Sequence, residues 1–137
     1  MDVNTAFLNG KVEQEVYVEQ PEGFVIHSKE SHVCKLNKAL YGVKQAPRVW
    51  YERIDNYLKS LGFYKRSADS NLYFKIVGNQ PLILVLYVDD LFLTGEDSQI
   101  AWCKRELTSE FEMKDLGLMH YFLGLEVWQK PENIFLS

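Results

Sequence analysis

An acidic pair, Asp89-Asp90, interrupts what would otherwise be one long apolar strand: Leu82 to Val88 runs into it and Leu91 to Leu93 leaves it. Neighbouring residues of a flat strand point to opposite faces, so the two carboxylates could not serve one site from a regular strand. A tight turn brings them closer, and Asp tolerates the backbone that short connections need. The chain is therefore expected to fold back here as a hairpin with the acids at its tip. Paired carboxylates in that position suit a small, hard divalent cation, which prefers oxygen ligands and is held by one or two carboxylates with water or phosphate oxygens. A third carboxylate from elsewhere would strengthen such a site, and plain turn chemistry accounts for the same two acids without a ligand.

The flanking sequence extends the hairpin into a layer. Val16 to Glu19 and Val33 to Leu36 read as short strands on either side of a Pro21-Glu22-Gly23 turn and a polar loop around Ser28 to Ser31. A helix is predicted to start near Pro47, whose fixed φ suits a first turn. Trp50, Ile54, Tyr57, Leu58 and Leu61 recur at helical spacing, and Gly62 stops it. Leu72 to Val77 and Leu82 to Val88 read as strands across a Gly78-Asn79-Gln80-Pro81 turn, with Leu91 to Thr94 next. A second helix is predicted from Ser98, as its cap, to Glu112, with Ile100, Cys103, Leu107 and Phe111 inward. His120 to Val127 and Ile134 to Leu136 read as closing strands around Pro131-Glu132-Asn133. The fold class is α+β: an antiparallel sheet with helices packed on one face.

At 137 residues, 47% hydrophobic and 14% aromatic, the chain can bury one core and is read as a single domain, residues 1–137. That composition excludes a disordered or low-complexity segment. The net charge of −4 is unlike a freestanding nucleic-acid binder. Its distribution says more: residues 27–66 carry nine Lys or Arg against three acids, while residues 67–137 carry five against eleven. Lys35, Lys38, Lys44, Arg48 and Arg53 alternate with Tyr41, Trp50, Tyr51 and Tyr57, a pattern able to follow a phosphate backbone. A solvated face with the aromatics turned inward explains it equally well. Cys34 and Cys103 are isolated and read as small buried residues in a reducing compartment. The longest apolar run is too short to span a bilayer and no cleavable signal precedes Asp2, so an intracellular protein without membrane contact is expected.

Four ordered motifs carry a resemblance. Met1 to Gly10 (MDVNTAFLNG), Leu40 to Tyr51 (LYGVKQAPRVWY), Tyr87-Val88-Asp89-Asp90, and the pair Met113 to Gly117 (MKDLG) with Tyr121 to Glu126 (YFLGLE) together resemble the reverse transcriptase of copia-type LTR retrotransposons. The resemblance implies a polymerase palm-like fold and RNA-directed DNA synthesis on an RNA or DNA template-primer from deoxynucleoside triphosphates. It implies Asp2, Asp89 and Asp90 as catalytic, metal-binding carboxylates for Mg²⁺ or Mn²⁺, two ions when assembled, in a cytoplasmic or particle-associated setting. Two-metal transfer of this kind places the ions about 3.5–4 Å apart.

By the same resemblance, Phe7 stacks under the incoming sugar and would clash with a ribose 2′-hydroxyl, favouring deoxynucleotides. Tyr41, Gly42, Gln45 and Pro47 contact nucleotide and template; Gly42 permits close backbone approach and Gln45 offers donor and acceptor. Phe122, Leu123 and Gly124 press on the primer end. Each has a plain reading as well: Asp2 an exposed acid near a flexible terminus, Phe7 a core residue, Leu40 to Pro47 a loop-to-helix junction, Phe122 to Gly124 part of an alternating strand. The family's fingers segment, thumb and RNase H would lie outside these residues. The expectation is thus a palm fragment of a polyprotein, with the start of Asp2's strand frayed and the isolated piece inactive, other polyprotein segments being among its candidate partners. The alternative is a fragment that binds nucleic acid without catalysis, or a relic with no enzymatic function.

Overall fold

The computed structural model describes residues 1–11, 15–122, 124–130 and 133–137. The chain is α+β, with two helices among the described residues and antiparallel strand pairing in every sheet. It divides into two compact units, a sheet unit (Met1–Asn4 with Tyr64–Ser137) and an inserted unit (Thr5–Phe63). Strand β1 (Asp2–Val3) belongs to the sheet unit; β2 (Tyr17–Val18), β3 (Cys34–Lys35) and helix α1 (Ala46–Ser60) belong to the inserted one.

In the inserted unit β2 and β3 pair as a short ribbon, Tyr17 opposite Lys35 and Val18 opposite Cys34. The intervening loop is tied by the Gln20 side chain, which donates to the Lys29 and His32 carbonyls and accepts from Ile26 N. Cys34 is exposed, contrary to the expectation of a buried thiol, because a two-strand ribbon has no second layer to cover it. Helix α1 forms where the spacing predicts it: Pro47 sits in its first turn, and Ala46, Trp50, Ile54 and Leu58 bury one stripe. Its end is a Schellman motif. Gly62, at φ 84°, donates to Lys59 O, while Phe63 N reaches back to Leu58 O, and both Phe63 and Leu58 are buried. A 3₁₀ turn over Ala6–Asn9 packs on this helix.

The chain returns to the sheet unit through β4 (Tyr64–Arg66), β5 (Asp69–Val77), β6 (Gln80–Tyr87) and β7 (Asp90–Thr94). Helix α2 (Asp97–Glu110) and β8 (Met113–Lys114) follow. The six-stranded order is β4-β5-β6-β7-β1-β8, so β1 lies inside the sheet between β7 and β8. Leu82, Leu84 and Leu86 of β6 bury one face at the strand period of two, joined by Tyr73 and Leu91. The β5–β6 turn is only Gly78-Asn79; Pro81, expected in the turn, pairs with Ile76 inside the strand.

Against this sheet α2 buries Cys103 and Leu107, and Phe111 just beyond its end is buried too. Its cap is Glu96 rather than Ser98, since Glu96 has extended backbone and its carbonyl receives Gln99 N and Ile100 N. Gln99, not Ile100, takes the first buried position, four residues before Cys103. Lys75 of β5 lies 4.1 Å over the Trp102 ring. Burial pushes the Cys103 thiol up to about 12, so it behaves as an apolar core group.

The stretch predicted as one strand from His120 to Val127 is two: β9 (Tyr121–Phe122) and β10 (Leu125–Lys130), with Gly124 at φ 85° in the turn. β11 (Asn133–Leu136) pairs with β10, completing a three-stranded sheet. Pro131 and Glu132 of the turn expected there lie outside the described residues. No helix among the described residues is long and apolar enough to cross a membrane.

Candidate active site

The acids sit at the β6–β7 hairpin, but not as a shared tip. The turn is Val88-Asp89, closed by the pair Tyr87 and Asp90, so Asp90 is the first residue of the returning strand. The left-handed backbone falls on Val88 (φ 55°), whereas Asp89 keeps an ordinary φ. A β-branched residue in that region is strained by about 1–3 kcal/mol, a cost found most often at functional turns.

Asp2 is the second correction. Instead of fraying, it pairs with Asp90 on one side and Lys114 on the other. Met1 N and Leu91 O lie 2.8 Å apart, Leu91 N returns a 2.8 Å bond to Met1 O, and Val3 N donates to Asp89 O at 2.9 Å. That pattern makes Asp2 and Asp90 a non-hydrogen-bonded pair, the kind whose Cα atoms approach to about 4.5 Å with side chains closest. Directly paired residues share a face, so one row across the sheet reads Tyr87, Asp90, Asp2, Lys114. Lys114 escaped the sequence reading because a two-residue strand carries no periodicity.

Electrostatics register this crowding. The Asp90 carboxyl is held above its usual range, first by burial and then by the negative charges of Asp89 and Asp2. Among the described residues no three His, Cys, Asp or Glu side chains are gathered closely enough to hold a metal ion. The donor chemistry is nonetheless that of a hard divalent cation, and the repulsion felt by Asp90 is what such an ion would relieve.

Phe122 reaches this hairpin from the second sheet. Its ring meets Phe92 of β7 edge-on at 4.6 Å and Tyr87 at 6.3 Å. The β9–β10 turn is therefore packed against the strands that carry the acids, a link the sequence does not reveal. Gly124 is required there by its positive φ; Leu123 lies outside the described residues.

In the inserted unit the structure brings Phe7 and Tyr41 together, ring centroids 4.6 Å apart and tilted by 48°. Phe7 is half-buried in the 3₁₀ turn, and Tyr41 is exposed. Gly42 has φ 87° with open space where a Cβ would stand, so backbone conformation, not a close neighbour, demands glycine in this structure. Successive turns (Val43 N to Leu40 O, Ala46 N to Val43 O) lead into α1. Gln45 stands at its cap without using its side chain, and Gln45 and Pro47 are both exposed. The fold thus leaves the Tyr41, Gln45 and Pro47 side chains uncommitted to the core.

Comparison with known proteins places these residues in a wider set. The model of the reverse transcriptase (RNA-dependent DNA polymerase) family matches residues 1–137. The chain is 49% identical over 129 residues to the retrovirus-related Pol polyprotein of transposon TNT 1-94 from Nicotiana tabacum, covering 93% of this chain and 10% of that protein. It is 41% identical to the polyprotein of transposon RE1 from Arabidopsis thaliana, covering 100% of this chain and 9% of that protein. A putative transposon Ty5-1 protein of Saccharomyces cerevisiae is 42% identical, covering 97% of this chain and 44% of that protein. The chain thus spans about a tenth of the length of the plant polyproteins and under half of the yeast protein. No solved structure matches it significantly.

Proposed function

Because the chain belongs to the reverse transcriptase (RNA-dependent DNA polymerase) family, we propose that it supplies the catalytic carboxylates for RNA-directed DNA synthesis from a template-primer. The sheet unit is its palm, and Tyr87-Val88-Asp89-Asp90 with Asp2 is the catalytic set. The observation that carries this reading is the pairing of Asp2 with Asp90: residues far apart in the chain meet as a like-charged pair inside a sheet, where nothing in the fold calls for it. Asp2, Asp89 and Asp90, once drawn closer together than they stand here, would hold Mg²⁺ or Mn²⁺, which when bound would lower the pKa of an attacking hydroxyl and neutralise phosphate charge.

The chain's own residues orient the reactants. Phe122, braced on Phe92 and Tyr87, positions the turn that meets the primer end, a role the family resemblance extends to Leu123 and Gly124. Phe7 and Tyr41 present rings to the nucleotide, Phe7 selecting deoxyribose by bulk; Gly42, Gln45 and Pro47 line the approach of nucleotide and template. Full turnover would call on further polyprotein segments, since the chain matches only about a tenth of the length of its plant relatives.

A chimera tests this. Replacing the matching segment of the tobacco polyprotein with this chain should preserve primer extension, and Asp89→Asn or Asp2→Asn should reduce it to background. Extension indifferent to these carboxylates would refute the assignment. An inactive chimera whose inserted chain still binds RNA would favour nucleic-acid binding without catalysis.

A further inference from the structure

Lys11 and Lys38 face each other across an isolated antiparallel bridge in the inserted unit. Ala39 N donates to Gly10 O beside them at 3.1 Å. With that bond, theirs is a non-hydrogen-bonded pair, the arrangement that sets opposing side chains closest. Gly10 and Ala39 are buried, and successive side chains alternate, so the two lysines point away from the core. Their seat is firm: a Cβ on Gly10 would come within 2.9 Å of Val49 Cγ1 and 3.2 Å of Trp50 N.

The bridge sets two cationic residues opposite each other, while three other cations of the unit have acidic partners. Lys35 is paired with Glu15, Arg48 with Glu52 and Lys59 with Asp55. Lys11 and Lys38 have no acidic partner among the described residues, and both are exposed. Lys38 stands three residues before Tyr41, whose exposed ring lies on Phe7. Paired cations close in sequence to an exposed aromatic pair match the way a single strand is held, phosphates by charge and bases by stacking.

We infer that Lys11 and Lys38 form a phosphate clamp for the sugar–phosphate backbone of a bound nucleic-acid strand. The inference rests on the polymerase reading for its partner but on the lysine bridge for its site. The clamp reads charge and not sequence, and each phosphate it neutralises adds to the salt dependence of binding.

The test is fluorescence anisotropy of a labelled single-stranded RNA with the full chain across a salt series, beside the Lys11→Gln/Lys38→Gln and Lys11→Arg/Lys38→Arg double variants. The Gln variant should lower the log–log salt slope by about 1.4, from roughly 0.7 per phosphate on a single strand. Its melting temperature should be unchanged or higher, because the two like charges are gone, and the Arg variant should restore the slope. A Gln variant that keeps the parent's slope and affinity overturns the clamp alone, leaving the carboxylate assignment to the chimera. Loss of tripolyphosphate binding with RNA binding intact overturns it in favour of a free-nucleotide site. A parent that binds no RNA even at low salt overturns both the clamp and the nucleic-acid reading.

Discussion

Asp2 faces Asp90 inside a six-stranded sheet, whereas Lys11 faces Lys38 across a single bridge at the surface. Both are like-charged, non-hydrogen-bonded pairs, and both cost their fold something. They differ in what holds the charges together. Backbone bonds on both sides of β1 fix the carboxylates, which are half-buried and so feel each other through less water. Among the described residues, the Gly10–Ala39 contact and the packing on α1 position the lysines, which are exposed. The contrast suggests different uses: a fixed acidic pair suits a tightly coordinated cation, and a solvated basic pair suits a mobile polyanion.

The sharpest way to break the acidic side is to remove its seat. Leu91→Ala, at a buried position next to Asp90, should destabilise the sheet unit by about 2–5 kcal/mol, measured by denaturant unfolding. Gly10→Ala is the counterpart for the basic side. Its new methyl meets Val49 and the Trp50 backbone, and a cost of about 1–3 kcal/mol is expected, with a weaker RNA complex.

Smaller changes separate the pairs by their response to solution conditions. Asp90→Asn should raise stability near neutral pH by about 0.2–1 kcal/mol, the scale of a like-charged cross-strand pair. The sign follows from the raised folded-state carboxyl: the folded chain holds the proton more tightly than the unfolded one, so ionisation penalises the parent above that range. Below the ordinary carboxylate range both states are protonated, and the advantage of Asn should vanish in melts at acid pH. Lys38→Gln should give the smallest gain, a few tenths of a kcal/mol at low ionic strength, and lose it in high salt, where exposed charges are screened.

Much of the frame was legible because it follows from period and punctuation. Trp50, Ile54 and Leu58 between Pro47 and Gly62 specify α1, and the alternating leucines of β6 specify a hairpin strand. The rest escaped for identifiable reasons. Glu96, Asp97 and Ser98 are three consecutive residues able to start a helix, and only the backbone decides among them. Gly124 splits an apolar run that reads as continuous. Val88 takes the left-handed turn position although Asp89 is chemically better suited to it, so the shared-tip picture of the acids fails while the hairpin stands. Asp2, Lys114, Lys11 and Lys38 lie in two-residue strands or a single bridge, whose partners are set by tertiary pairing and not by local pattern. The resemblance to a family supplied Asp2 together with Asp90; nothing in the sequence supplied Lys114 beside them.

The central claim is that Asp2, Asp89 and Asp90 act together on a divalent cation. It is tested most directly by thermal melts of the chain with and without Mn²⁺, beside Asp2→Asn and Asp89→Asn. A ligand bound only by the folded state raises the melting temperature by mass action. The account predicts a Mn²⁺-dependent rise in the parent that either substitution removes. An equal rise in all three proteins, or none in the parent, would contradict it.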